Sequence, residues 1–231
     1  MRALETSDRE LVALMTEAMR LAGAYWTSLD ERPSYPSTSG AETARLFDRP
    51  WMDEGRGGDV LNDFRAMAEH VRPCTGRFFG YVAGSGEPVG AVGDFLASVL
   101  NQNSTSWRSA PAAVTIERAV VGWLADAIGC DGFAGQLCGG GSMANLMALA
   151  IARETLSPAN EDGARPGVVY ASEHVHMSVP KAVALLGLGR SNLRLVPADA
   201  DFRLRIDALE AAIDSDRRLG KMPLAIGANG G

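Results

Sequence analysis

The residues with the clearest chemical potential are three consecutive glycines, Gly139 to Gly141, followed by Ser142 and a helix-like run, Asn145 to Arg153. Glycine adopts backbone angles that other residues avoid, and it lets a ligand approach the main chain without a side chain in the way. The first turn of a helix carries N–H groups without backbone partners and the positive end of the helix dipole. A glycine turn that leads into a helix is therefore a suitable seat for a phosphate group.

Several motifs compete for this stretch. Gly139, Gly141 and Ala144 fit the G-x-G-x-x-G/A dinucleotide pattern, but that pattern normally follows the first strand of a domain. Gly140, Ser142 and Ala144 nearly meet the G-x-S-x-G pattern of a hydrolase nucleophile. A P-loop needs a lysine directly before its serine or threonine, and none lies nearby. The simplest alternative is a turn between a strand and a core helix, with Ser142 as an ordinary helix cap.

Two histidines, His174 and His176, follow a predicted buried strand. Ligands of open α/β sheets bind at the carboxyl ends of the strands, which favours a functional role for His176, whereas we interpret His174 as structural. Alternate strand residues share a face, but two imidazoles without an identifiable third ligand do not make a zinc site, so we predict no metal. An α/β hydrolase with Ser142 as nucleophile and His174 or His176 as base is the main enzymatic alternative, although no acidic partner or oxyanion hole can be placed.

The second half of the chain alternates between strand-like and helix-like segments. Predicted strands cover Phe133–Cys138, Gly167–Ala171, Leu193–Val196 and Pro223–Ala228. Predicted helices begin at Pro88 and Pro111 and also cover Asn145–Arg153, Val179–Leu188 and Ile206–Ile213. This alternation predicts an α/β fold with a mostly parallel sheet and helices on both of its faces.

An N-terminal helical segment precedes the α/β part. A Ser-x-x-Glu capping box at Ser7 predicts a helix start, and apolar residues then recur at helical spacing as far as Tyr25. Pro33 ends this pattern, and the stretch after it is rich in Pro, Ser, Gly and charged residues, as linkers are. We therefore predict two parts, an N-terminal helical arm with its linker over residues 1–87 and an α/β domain over residues 88–231.

The composition narrows the class of protein. The chain has 231 residues and a net charge of −6, so we expect no basic surface for nucleic acid or an anionic membrane. Three cysteines without C-x-x-C spacing indicate free thiols in a reducing compartment. The N-terminus lacks the apolar core of a signal peptide, and no apolar run approaches the length of a membrane span. We therefore expect a soluble, cytoplasmic protein.

The order of several segments along the chain adds to these patterns. In sequence they are Arg77-Phe78-Phe79-Gly80-Tyr81, Ala97 to Gln102, Trp107, Ser109-Ala110-Pro111, Ile116-Glu117, Trp123-Leu124, the glycine turn, His174-Val175-His176 and Ala228-Asn229-Gly230-Gly231. This succession resembles the pyridoxal-phosphate-dependent group II decarboxylases, a family that includes the aromatic-amino-acid and glutamate decarboxylases. The resemblance covers nearly the whole chain.

This resemblance implies an aspartate-aminotransferase-like large domain, the cofactor pyridoxal 5'-phosphate and an L-amino acid as substrate. It implies that Gly141 and Ser142 hold the cofactor phosphate and that His176 stacks on the pyridine ring and contributes to catalysis. It also implies that Tyr81 lines the substrate side of the pocket and that Asn229 lies near the cofactor. The N-terminal helix would cross onto a second subunit and form a homodimer.

In this family a lysine holds the cofactor as a Schiff base, and an aspartate pairs with the pyridine nitrogen. Both residues come later in the family order than Asn229, and neither Lys181 nor Lys221 has the expected His-Lys context. The resemblance therefore implies an N-terminal fragment with an incomplete large domain, inactive by itself. Aldehyde-forming and other lyase variants of the family fit the same residues. The non-enzymatic alternative is a module without a cofactor that dimerises through its helical arm.

Overall fold

The computed structural model describes residues 6–50, 52–81, 84, 86–161, 163, 165 and 167–228. Its contacts divide the chain into two compact units, Met1–Gln102 and Asn103–Gly231. The helix predicted from Pro88 lies in the first of these units, although the sequence assigns it to the α/β domain. The predicted domain boundary after residue 87 stays a prediction.

The first unit is helical. Its helices are α1 (Asp8–Thr27), α2 (Gly40–Phe47), α3 (Leu61–His70) and α4 (Pro88–Leu100), with 3-10 turns at Leu29–Glu31 and Gly57–Val60. The predicted capping box is confirmed, because the Ser7 N–H donates to the Glu10 carboxylate at 2.9 Å and the Glu10 N–H donates to the Ser7 hydroxyl at 3.3 Å. No helix in the part of the chain that the structure describes is long and apolar enough to cross a bilayer.

Helix α1 packs on α3. Tyr25 and Phe64 meet edge to face with ring centroids 6.2 Å apart, and Arg65 forms an ion pair with Glu17 at 2.8 Å. Leu21 is buried. The helix also carries exposed apolar side chains, Leu11, Val12 and Met19. Apolar surface of α1 is therefore left in contact with solvent.

The second unit is a three-layer α/β structure, as the sequence predicts. Its helices are α5 (Pro111–Ala127), α6 (Gly141–Leu156), α7 (Ser178–Leu185) and α8 (Ile206–Arg218), with a 3-10 turn at Arg190–Asn192. Its strands are β1 (Gly167–Ser172), β2 (Leu193–Val196) and β3 (Met222–Gly227), in the order β2-β1-β3. Both pairings are parallel, with Val169 opposite Leu193 on one side and Ala225 on the other.

The central strand β1 separates two apolar clusters. Its side chains alternate between the two faces of the sheet, as strand geometry requires. Val169 packs with Leu149 of α6 and Val183 of α7, whereas Val168 packs on the other face with Leu209 of α8. Helices therefore cover both faces, and this part of the fold prediction is confirmed.

The strand predicted over Phe133–Cys138 is wrong. This segment forms no ladder with any described strand, and the Leu137 N–H donates instead to the Glu117 carboxylate at 3.1 Å. Phe133 is 74% exposed, so the apolar character that favoured a strand is not used in the core of this unit. A strand needs a neighbour to pair with its backbone groups, and the described sheet provides none here.

A buried carboxylate joins three elements of the second unit. Asp216 of α8 accepts two hydrogen bonds from Arg194 of β2, both at 2.9 Å, and one from the Tyr170 hydroxyl of β1 at 3.1 Å. The guanidinium lowers the pKa of Asp216. Burial, helped by the neighbouring carboxylate, raises the pKa of Tyr170 to about 12. Lys221, at 3.4 Å from the same carboxylate, is committed to this ion-pair network.

Candidate active site

The glycine turn is built around Gly140, whose backbone lies at φ 86° and ψ 163°. Only glycine adopts this combination of angles readily. The Gly140 N–H donates to the Cys138 carbonyl at 2.9 Å, and the Gly140 carbonyl accepts from the N–H groups of Met143 and Ala144 at 3.1 Å each. Gly140 therefore closes the turn and begins α6.

The next two residues leave hydrogen-bond donors available to a ligand. Gly141 and Ser142 are the first two residues of α6, and both are exposed. Within the described ranges, no hydrogen bond involves their N–H groups or the Ser142 hydroxyl. A helix start with free donors and the positive end of the dipole suits a dianion such as a phosphate. The alternative role of Ser142 as the cap is wrong, because Gly140 occupies that position without a side-chain cap.

His176 is held close to this helix by a serine and an asparagine. The loop after β1 carries His176, and its Nδ1 lies 2.8 Å from the hydroxyl of Ser178, the first residue of α7. The Ser178 N–H also donates to this Nδ1, at 3.2 Å. Asn145, one turn after Ser142 in α6, donates from Nδ2 to the Ser178 hydroxyl at 2.8 Å. The structure thus links α6, the helix that begins at the glycine turn, to His176 through the side chains of Asn145 and Ser178.

Neither Asn145 nor Ser178 is predicted from the sequence as a site residue. Asn145 lies three positions after Ser142, and residues at that spacing share a helix face. Ser178 lies two positions after His176, close enough in sequence for its hydroxyl to reach the His176 ring. These two spacings are the only signals in the sequence that could have pointed to them.

The geometry does not assemble a hydrolase. The His174 ring centroid lies 5.4 Å from that of Phe202, and the backbone N–H of His174 donates to the Ser172 hydroxyl at 3.3 Å. Among the described residues, no hydrogen bond joins Ser142 to either histidine, and the Nδ1 of His176 meets a serine rather than a carboxylate. A catalytic serine needs a histidine within hydrogen-bond reach and an acid behind it. In the same part of the chain, no group of three or more His, Cys, Asp or Glu side chains could hold a metal ion.

The remaining predicted site residues lie elsewhere. Tyr81 belongs to the first unit, has a positive φ of 60°, is 85% exposed and has the Arg72 guanidinium 5.0 Å from its ring centroid. Asn229 lies outside the described residues. Lys181 is exposed on α7.

Comparison with known proteins adds the family. The sequence model of one protein family, the pyridoxal-dependent decarboxylase conserved domain, matches residues 54–231, most of the chain. The chain belongs to this family. Pyridoxal 5'-phosphate is the cofactor that the family implies, and its phosphate matches the chemistry of the donors at Gly141 and Ser142.

Individual relatives of this chain are named as amino-acid decarboxylases. The aromatic-L-amino-acid decarboxylase of Bacillus atrophaeus is 37% identical over 155 residues, 67% of this chain and 32% of that protein. The tyrosine decarboxylase of Oryza sativa subsp. japonica is 34% identical over 219 residues, 87% of this chain and 40% of that protein. The chain thus spans less than half the length of these curated relatives.

Solved structures share the fold. The crystal structure of mouse CSAD superposes with a TM-score of 0.86 at 24% identity, covering 96% of this chain and 48% of that one. The 4-hydroxyphenylacetaldehyde synthase of Rhodiola rosea superposes with a TM-score of 0.83 at 25% identity, covering 96% of this chain and 50% of that one. The predicted fold class, an α/β domain of this type, is confirmed by these superpositions.

Proposed function

We propose that this chain is part of a pyridoxal 5'-phosphate-dependent enzyme that removes the carboxyl group of an L-amino acid. The observation that carries the proposal is the glycine turn with free donors at Gly141 and Ser142, in a chain of the pyridoxal-dependent decarboxylase family. When bound, the cofactor supplies the electron sink for the loss of CO2. Its phosphate is a dianion that the start of α6 suits by charge and by hydrogen bonding.

The residues of this chain have separate roles in the proposal. The N–H groups of Gly141 and Ser142, with the Ser142 hydroxyl, bind the cofactor phosphate. His176 stacks its ring on the pyridine ring and contributes to catalysis. Tyr81 contacts the substrate, and Asn229 lies near the cofactor. None of these roles needs a metal ion.

The names of the relatives support the substrate class in this proposal. Those of Bacillus atrophaeus and Oryza sativa act, by name, on aromatic L-amino acids and tyrosine. We propose an L-amino acid for this protein as well, with an aromatic one as the first to assay. Because an aldehyde synthase is among the structural neighbours, the assay should measure CO2, amine and aldehyde together.

We also propose a homodimer formed through α1. Val12 and Met19 of this helix are apolar side chains that are 65% and 69% exposed. A second subunit would remove that apolar surface from water, which is favourable. Light scattering of the protein and of a Met19→Glu variant tests this, since the variant should shift the equilibrium toward the monomer. A monomeric wild-type protein at high concentration would contradict the dimer.

The experiment for the cofactor site compares two ligands and two glycines. A Cβ at Gly141 would meet no atom within 4 Å, and its φ is not positive, so Gly141→Val should fold normally. The new side chain would occupy the space in front of the free donors, and we expect the affinity for pyridoxal 5'-phosphate to fall at least about tenfold, equal to about 1.4 kcal/mol. Gly122→Val, at a helical glycine with equally open surroundings, is the matched control.

The second ligand is pyridoxal, which lacks the phosphate. The affinity for each ligand is measured by absorbance titration, and the affinity for pyridoxal should be equal for the wild type and Gly141→Val. Unchanged affinity for pyridoxal 5'-phosphate in Gly141→Val would contradict the site. In the whole protein, His176→Gln should reduce CO2 release more than it reduces cofactor affinity, because stacking is only part of the binding energy.

A further inference from the structure

The hydrogen bonds around Ser178 fix which nitrogen of His176 carries the proton. Nδ1 of a neutral imidazole is either a donor or an acceptor, and the partners of the ring decide which. The Ser178 N–H can only donate, and it points at Nδ1 at 3.2 Å. Nδ1 is therefore an acceptor without a proton, and the proton is on Nε2.

The same logic sets the direction of the remaining bonds. With Nδ1 an acceptor, the Ser178 hydroxyl donates to it over 2.8 Å. That hydroxyl hydrogen is then used, so the oxygen accepts from Asn145, whose Nδ2 lies 2.8 Å away. The result is a one-way chain of donors from Asn145 through Ser178 to His176.

This series of hydrogen bonds is buried at Ser178 and reaches solvent at His176. Ser178 is 3% exposed and Asn145 is half-buried, whereas His176 is exposed. A buried hydroxyl that loses a partner costs free energy, which keeps both serine contacts in place. Within the described part of the chain, no hydrogen bond involves Nε2 of His176, so its N–H is available to a ligand.

We propose that Asn145 and Ser178 are positioning residues that hold the His176 ring in one orientation and in its Nε2–H tautomer. Because Asn145 lies on the first turns of α6, the pair also ties that ring to the helix that carries Gly141 and Ser142. The role of this tie in catalysis rests on the proposed decarboxylase function, whereas the tautomer is a property of the chain itself.

The test uses nitrogen NMR of the chain labelled with ¹⁵N-histidine. At a pH of about 9 an imidazole is neutral, and its two nitrogens differ in shift according to which one is protonated. The chain has three histidines, so the His176 signals are assigned by removing His70 and His174 in turn. The wild type should show an unprotonated Nδ1. A protonated Nδ1 in the wild type would by itself overturn the proposal, before any variant is measured.

The decisive variant is Asn145→Asp, which replaces the amide donor by an acceptor of nearly equal size. The Ser178 hydroxyl would then donate to the carboxylate and turn a lone pair toward Nδ1. The Ser178 N–H would still donate to Nδ1, but the second donor would be lost. Bonds to charged groups are about 1 kcal/mol stronger than neutral ones, so the population with a proton on Nδ1 should rise by up to about fivefold. An unchanged tautomer in folded Asn145→Asp would overturn the role of Asn145.

Asn192→Asp is the matched control. The Asn192 side chain also donates one bond of 2.8 Å, but to the Leu188 carbonyl, outside this chain of donors. It should leave the His176 tautomer unchanged. A change of equal size in this control would show that the tautomer follows overall charge and would overturn the proposal.

The catalytic part is measured in the whole protein with pyridoxal 5'-phosphate. Asn145→Ala should lower kcat for CO2 release about 2- to 10-fold, the loss expected for one hydrogen bond, with a smaller change in KM. An unchanged kcat would overturn the catalytic part of the proposal. If the wild type binds the cofactor but releases no CO2, the proposed function fails while the tautomer result stands, so the two failures are distinguishable.

Discussion

Replacing Gly140 with alanine should strain the turn that leads into α6, whereas the same change at either neighbouring glycine should not. At φ 86° and ψ 163°, Gly140 lies in a region that L-residues occupy only with strain of about 1–3 kcal/mol. A Cβ at Gly139, Gly140 or Gly141 would meet no atom within 4 Å, so steric contact adds nothing at any of the three. Strain in the backbone is therefore the only difference between these substitutions.

The two neighbouring glycines serve as matched controls. Neither Gly139 nor Gly141 has a positive φ, and alanine there should stabilise the folded chain by about 0.4–1 kcal/mol through the entropy of the unfolded state. Gly140→Ala receives the same gain but also the strain. Its free energy of unfolding should therefore lie about 1–3 kcal/mol below that of Gly141→Ala.

Hydrogen exchange of the β1 amides measures this difference within the second unit. Val169 is fully buried in the central strand, so its amide exchanges when the unit opens. Exchange in Gly140→Ala should be about 5- to 150-fold faster than in Gly141→Ala. Equal exchange rates in the two variants would refute the assignment of strain to Gly140, and the reason given for a glycine at this position would be lost with it.

Four further outcomes follow from the same contacts. Because the pKa of Asp216 in the folded chain lies below its ordinary 3.8, its ionised form stabilises the fold above that pH, and a pH titration of stability should show this contribution disappear as the pH falls below about 3.8. The pKa of Tyr170 is raised from 10 to about 12, so stability should instead decline as the pH rises between those values, and Tyr170→Phe should remove this decline at a cost of about 1.5–3 kcal/mol for the lost bond to a charged group. Reduction of the cofactor-loaded protein with borohydride, followed by peptide mapping, should leave Lys181 and Lys221 unlabelled, since Lys221 pairs with the Asp216 carboxylate. Ser7→Ala should lower the stability of α1 by about 1 kcal/mol in thermal unfolding followed by circular dichroism, with little effect on cofactor affinity.

Much of the fold follows from local signals. Leu193–Val196 is a strand with the predicted bounds, and β1 and β3 differ from prediction by one residue at their ends. Helices α4 and α5 begin at Pro88 and Pro111 as predicted, because proline fits the first helical position, where no backbone donor is needed. Such signals act within a few residues and can be read without the tertiary structure.

The errors and omissions concern contacts between distant segments. The apolar run Phe133–Cys138 meets the local criteria for a strand, but a strand exists only with a pairing partner. Asp216 belongs to a helix whose charged residues are expected to face water, yet it is buried against β1 and β2 through Tyr170 and Arg194. The bond from Asn145 to Ser178 spans 33 residues of sequence, so no local pattern reports it.

The same apolar core determines where the parts of the site lie. Helices α6 and α7 meet β1 in one cluster through Leu149, Val183 and Val169. Both helices begin on the side where β1 ends, so the core fixes the distance between the glycine turn and the loop of His176. The exposed ends of these elements are then joined by the short polar chain through Ser178. Leu149→Ala would leave a cavity at this junction and cost about 2–5 kcal/mol. It should therefore disturb the two halves of the site together, although it touches neither of them.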